Sequence, residues 1–74
     1  MTSDVEKIMD EFEAALVDVL QASHNQAGAS PHLRGRLAGA RANADKARAG
    51  RSNVENEYRA AVDRAFGTAR QNFR

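Results

Sequence analysis

The side chains that could perform acid–base or metal chemistry are a group of carboxylates and two histidines. Four carboxylates lie between residues 10 and 18, and His24 and His32 flank a stretch of small residues. A di-iron helical bundle uses a Glu-x-x-His spacing, which this chain lacks. Two histidines alone do not supply the ligands of a zinc site. We therefore interpret the carboxylates as the exposed face of a helix and the histidines as polar loop residues, and expect neither a metal nor a cofactor.

Candidate nucleophiles are explained by helix capping. Ser3, Ser30 and Ser52 each stand directly before a candidate helix, where a serine hydroxyl accepts a backbone N–H. The chain contains no Gly-x-Ser-x-Gly motif and no phosphate-binding glycine loop. It also lacks cysteine, so no thiolate can act as nucleophile or metal ligand. The sequence predicts a protein that is not an enzyme.

A line of arginines raises the question of nucleic-acid binding. Arg34, Arg41 and Arg48 recur every seven residues and so share one side of a helix. Acidic residues are interleaved among the basic ones, the net charge is only +1, and no nucleic-acid-binding motif is present. We therefore favour pairing of this line with an acidic part of the chain, or exposure to water, over contact with nucleic acid.

The charges divide at the small-residue stretch that ends in Ser30-Pro31. Six acids and one base precede it, whereas ten bases and four acids follow it, and nine of those bases are arginine. Segments of opposite charge attract each other, either within one molecule or between copies. The charge pattern therefore predicts two arms joined by a turn.

Both arms have helical periodicity. Ser3 and Glu6 match a capping box, and apolar residues then recur every three or four positions, which predicts a helix over about 4–24 and a turn over about 25–30. The second arm starts at Ser30-Pro31, with serine as N-cap and proline in the first helical turn. We expect the arms to pack through apolar residues of both helices: Val5, Ile8, Phe12, Leu16, Val19, Leu33 and Leu37.

The uncertain position is Gly50. A heptad repeat of apolar and small residues runs from Leu33 to Ala65 without a change of phase, as in a coiled coil, and favours one helix over about 31–73. Gly50 followed by a second capping box at Ser52 favours a break at 50–52. We predict a single all-α domain of residues 1–74, a helical hairpin with a short acidic first helix and a long, continuous or kinked basic second helix. A three-helix bundle broken at Gly50–Ser52 is the alternative.

The two arms of such a hairpin differ in length. The first helix would span about 30 Å and an unbroken second helix about 65 Å, so half of the second would lack a partner. A chain of 74 residues also buries only about 60% of its unfolded surface. We therefore expect an interface with other subunits or with a partner along the apolar stripe of the second arm: Val54, Tyr58, Val62, Phe66 and Phe73.

The sequence carries no recognisable targeting segment. It has no apolar run of transmembrane length, and the acidic N-terminal region does not match a cleavable signal peptide. We expect synthesis in the cytoplasm and no membrane span.

The chain resembles the needle subunits of type III secretion systems. The likeness lies in the turn with Pro31 and Leu33, in Ser52-Asn53 along the second arm, and in the closing residues 71–74, Gln-Asn-Phe-Arg. The resemblance implies a helical hairpin that assembles into a hollow filament, with the C-terminal helix toward the lumen and Gln71 and Arg74 in its wall. It further implies packing of Val62, Phe66 and Phe73 between subunits, and a secreted or cell-surface location.

Two functions follow as expectations. The first is a self-assembling structural subunit, a homo-oligomeric filament component for protein transport, with a helical chaperone or other apparatus proteins as further partners. The second is a small adaptor or regulatory module of the cytoplasm that binds one helical partner through the stripe from Val54 to Phe73.

Overall fold

A computed structural model of the chain describes residues 4–24, 28 and 30–71. These residues form three α-helices, α1 (Asp4–His24), α2 (Pro31–Arg48) and α3 (Ser52–Gln71), and none of them lies in a strand. The all-α class predicted from the sequence is confirmed. Ser3, the expected cap of α1, lies outside the described residues.

Local chemistry fixes the start of α2. The Ser30 side chain accepts a hydrogen bond from the Leu33 backbone N–H at 3.2 Å, and Pro31 occupies the first turn. Both features satisfy or remove N–H groups that have no partner inside the helix.

The structure corrects the preference for a continuous second helix. α2 ends at Arg48, and Gly50 adopts a φ of 70°, a conformation that costs glycine little because it has no Cβ. The Arg51 N–H then bonds the Arg48 carbonyl at 3.0 Å, and α3 begins at Ser52. The longest dimension of the Cα trace is 37 Å, well below the roughly 65 Å of an unbroken helix.

α1 is the helix that holds the others together, since it packs against both α2 and α3 while those two share few contacts. It runs antiparallel to α2, as the Asp18–Arg36 ion pair near one end and the proximity of Asp4 to Lys46 near the other show. It runs parallel to α3, because Glu6 lies beside Glu57 and Glu13 pairs with Arg64.

The core lies where α1 meets the two other helices. Its buried residues are Met9, Phe12, Ala44, Val54 and Ala61. Partly buried apolar residues pack against this cluster: Val5, Ile8, Leu16, Leu37, Ala40, Ala47, Tyr58 and Val62. Ala65 and Ala69 extend the buried face of α3 beyond the core cluster.

Candidate functional site: a groove between α2 and α3

A groove of about 520 Å³ lies between α2 and α3, with α1 as its floor. α1 contributes Phe12 and Leu16, and α3 contributes Tyr58 and Val62. The wall formed by α2 consists of Arg34, Leu37, Ala38, Arg41, Ala42 and Asp45. The groove therefore has an apolar floor, one apolar wall and one wall that is charged.

Aromatic stacking closes one end of the groove. The rings of Phe12 and Tyr58 are stacked with centroids 5.1 Å apart, and the Arg48 guanidinium lies 4.0 Å from the Tyr58 ring centroid. An arginine at this distance is attracted to the negative face of the ring. Because Arg48 is the last residue of α2, this contact ties the end of α2 to the first half of α3.

Asp45 contributes a carboxylate beside this closed end. Its Oδ1 atom is buried and lies 3.4 Å from Arg48 Nη2, but it accepts no hydrogen bond within the described part of the chain. The two groups form an ion pair without hydrogen-bond geometry. The carboxylate thus retains hydrogen-bonding capacity inside the groove.

The composition of the α2 wall explains why the groove stays open. Arg34 and Arg41 would lose their hydration if α3 packed directly on them, and charged groups are costly to bury without partners. Ala38 lies between these two arginines and Ala42 follows Arg41, and both add little bulk. The result is a long concave surface that a further helix could enter.

Phe66 lies on α3 just beyond the residues that line the groove. It is one helical turn beyond Val62 on α3 and keeps 47% of its surface exposed. It is the large apolar side chain left exposed among residues 4–24, 28 and 30–71. Phe66 therefore prolongs the apolar wall of the groove toward solvent.

The structure divides the predicted interface stripe. Val54 is 3% exposed and belongs to the core, which corrects its expected place on an interface. Tyr58 and Val62 are half-buried and pack against the core while lining the groove. The reason is the break at 49–51, which turns α3 back onto α1. Phe66 remains exposed, and Phe73 lies outside the described residues.

The residues expected to pack the arms together lie on the inner sides of α1 and α2. Phe12 is buried, and Val5, Ile8, Leu16 and Leu37 pack against the core. Val19 and Leu33 are half-buried beyond it. Of the two residues assigned to a lumen, Gln71 is exposed at the end of α3 and Arg74 lies outside the described residues.

The opposite charges of the two arms meet at two places in one molecule. Arg36 donates to Asp18 between α2 and α1, and Arg64 donates to Glu13 between α3 and α1 at 3.2 Å. Such solvent-exposed pairs each contribute about 1 kcal/mol or less. The arginine line of α2 does not take part in these bridges. Its position along the groove was not evident from the sequence, where only the seven-residue spacing was visible.

Two further properties bear on function. Among the described residues, no three of the His, Cys, Asp and Glu side chains are grouped closely enough to hold a metal ion. None of the helices α1 to α3 is both long and apolar enough to cross a membrane.

Comparison with known proteins finds no matching family model, no significant match among curated proteins and none among solved structures.

Proposed function

We propose that this chain is a structural subunit that assembles with copies of itself, as a needle-like filament component of a protein secretion apparatus. The observation that carries the proposal is the exposed Phe66 beside an open apolar groove. Phe66 has 47% of its surface exposed to water, and covering that apolar surface with a neighbouring molecule is favourable. Contiguous apolar surface of this kind is typical of protein–protein contacts.

The size of the core supports the same conclusion. Among the described residues, five of the eight buried side chains are alanine: Ala15, Ala44, Ala61, Ala65 and Ala69. Alanine buries little apolar area, and a domain of this size is marginally stable when alone. Contacts between copies would add the burial that the single chain lacks.

The needle-like form rests on the resemblance in the turn at Pro31, at Ser52-Asn53 and in residues 71–74. In such a filament the protein would be secreted or lie at the cell surface, and a helical chaperone would be its partner before assembly. The three-helix arrangement differs from a simple hairpin. The proposal therefore includes assembly of subunits in which α2 and α3 remain two helices, separated at Gly50.

Sedimentation and negative-stain electron microscopy over a range of protein concentrations test the proposal. We expect elongated particles of uniform width that grow with concentration. Phe66→Asp should raise the concentration needed for assembly about tenfold or more, because it places a charge in an apolar contact. Ala60→Asp is the matched control, since Ala60 is exposed on the side of α3 next to Arg64, away from the groove.

A wild-type chain that remains monomeric at millimolar concentration would contradict self-assembly. Equal assembly of Phe66→Asp and the control would show that the exposed phenylalanine does not carry it.

The groove itself favours a second function, that of an adaptor. A concave surface floored by Phe12 and Leu16 fits the apolar face of one helix from another protein. An adaptor would sediment as a monomer or dimer at every concentration, which separates it from the filament subunit in the same experiment.

A further inference from the structure

Two charged stripes with matching spacing run along α1 and α2. The stripe on α1, here the α1 stripe, consists of Asp4, Lys7, Glu11, Ala14 and Asp18. The stripe on α2, here the α2 stripe, consists of Arg48, Asp45, Arg41, Ala38 and Arg34. Both advance by three and four residues alternately, so each stripe keeps to one side of its helix.

Placed antiparallel, the two stripes are complementary at each of their four charged positions. Asp4 meets Arg48, Lys7 meets Asp45, Glu11 meets Arg41 and Asp18 meets Arg34, so a cation faces an anion each time. The remaining pair, fourth in the register, is Ala14 and Ala38, whose small side chains let two helices approach closely. One register therefore satisfies four charge pairs and leaves one position without bulky side chains.

The stripes do not face each other within one molecule. The α1 stripe lies on the outer side of α1 next to α2, where Asp18 pairs with Arg36 and Asp4 lies beside Lys46. The α2 stripe lies on the other side of α2, along the groove that Tyr58 and Val62 also line. Lys7, Glu11, Arg34 and Arg41 are exposed and form no ion pair within the described residues.

We propose that the α1 stripe of one copy binds antiparallel to the α2 stripe in the groove of a second copy. This inference rests on the proposed self-assembly and names its contact. Pairing of two grooves face to face is disfavoured, because Arg34 and Arg41 of both copies would oppose one another. The contact joins two different surfaces, so a copy that binds one neighbour still has a free α1 stripe or a free groove for the next. Such contacts generate open chains when the rotation between neighbours does not close a ring.

The contact also uses carboxylates that keep accepting capacity beside their partners in the single molecule. Lys7 of the incoming helix would reach the Asp45 carboxylate from its solvent side, where 46% of the side chain is exposed beside Arg48. Asp18 can keep Arg36 on Oδ2 and accept Arg34 on its second oxygen. Phe66 lies at the edge of the same groove and would be covered by the arriving subunit.

Charge reversal at one pair of the register tests the inference. Arg41→Glu makes the α2 stripe repel Glu11 of a neighbouring copy, and Glu11→Arg makes the α1 stripe repel Arg41 of a neighbouring copy. Each variant alone should need about tenfold more protein to assemble than the wild type at low salt. An equal mixture of the two variants should recover assembly, because each supplies the surface that the other now complements.

Two controls accompany the mixture. Arg70→Glu reverses an exposed charge of α3 outside both stripes and should assemble like the wild type. Circular dichroism and thermal unfolding of each variant at low concentration should match the wild type, since Arg41 and Glu11 are exposed and unpaired in the single chain.

The outcomes separate this inference from the function on which it rests. A wild-type chain that never assembles contradicts both. Wild-type assembly with both variants unaffected overturns the stripe contact and leaves self-assembly standing. Loss in Arg41→Glu that the mixture does not restore would mean that the groove binds a surface other than α1, and would also overturn the inference.

Discussion

The two sides of α3 show how differently one helix can meet its neighbours. Toward α1 it presents Ala61, Ala65 and Ala69, four residues apart and all buried, which we call the alanine seam. Toward α2 it presents Tyr58 and Val62 across an open groove. Both sides are apolar, so hydrophobicity of α3 alone does not decide which side closes.

The neighbouring helix makes the difference. α1 offers Met9 and Phe12 to Ala61 of the alanine seam, and these bulky side chains fill the space that alanine leaves. α2 offers Arg34, Arg41 and Asp45, which keep their hydration only while the groove remains open. The seam therefore contributes stability and the groove remains open as a surface, and four pairs of substitutions test that division.

The largest effect on the free energy of unfolding should come from truncating Phe12, which packs in the core and also lines the groove. Phe12→Ala deletes a ring that is 3% exposed and stacked on Tyr58, and should lower the free energy of unfolding by about 3–5 kcal/mol. Phe66→Ala, at the groove edge, should cost about 1 kcal/mol or less. Urea denaturation followed at 222 nm measures both; equal losses would mean that the groove edge is as tightly packed as the core.

The same added volume should have opposite consequences in the seam and in the groove. Ala61→Leu overfills a site with no exposed surface and should cost about 1–3 kcal/mol. Ala42→Leu, on the groove wall, should change the free energy of unfolding by about 0.5 kcal/mol or less. Comparable destabilisation by the two leucines would contradict the open groove.

The turn that sets α3 apart from α2 should be sensitive to a methyl group. Gly50→Ala places a Cβ at a φ of 70° and should cost about 1 kcal/mol. Gly39→Ala, inside α2 with open space around it, should instead add about 0.5–1 kcal/mol. Thermal unfolding of the pair checks the sign, and a stabilising Gly50→Ala would favour a continuous helix.

The smallest effect belongs to the ion pairs. Glu13→Gln breaks the bridge from α1 to α3, where the Glu13 side chain is 22% exposed, whereas Asp18→Asn breaks the bridge to α2, where Asp18 is 44% exposed. We expect a loss of about 0.5–1 kcal/mol for the first and less for the second, both vanishing near 1 M salt. A larger loss for Asp18→Asn would contradict the expectation that the more exposed ion pair contributes less.

Local chemistry made some of this fold predictable. Ser30 and Pro31 mark the start of α2 in the sequence and do so in the structure, because capping depends on residues within one turn. The all-helical class follows from periodicity in the same way. Phe12 was recognisable as a packing residue because a bulky apolar side chain on a charged helix has few other roles.

The sequence carries signals for a break at Gly50, but its heptad phase favours a continuous helix, which the structure does not have. Ala47, Arg51, Val54 and Tyr58 keep the heptad phase across the interruption, so the pattern looks continuous while the chain reverses direction. The heptad phase depends only on the spacing of residues in the sequence. The direction of the chain depends on the left-handed conformation of Gly50 and on the apolar burial gained when Val54 reaches the core. The groove was hidden for a similar reason, since spacing places Arg34 and Arg41 on one side of α2 without showing which helix faces them.

The parallel course of α1 and α3 has a mechanical consequence. Asp4 and Gln71 lie at opposite ends of two neighbouring helices, about 30 Å apart by helical rise. A force that pulls these residues apart drives α1 and α3 past each other along their length. The alanine seam and the Glu13–Arg64 bridge would then be loaded together in shear, rather than opened one contact at a time. We expect a subunit pulled in this direction to resist more force than one pulled between residues 24 and 31, where the antiparallel helices α1 and α2 would unzip.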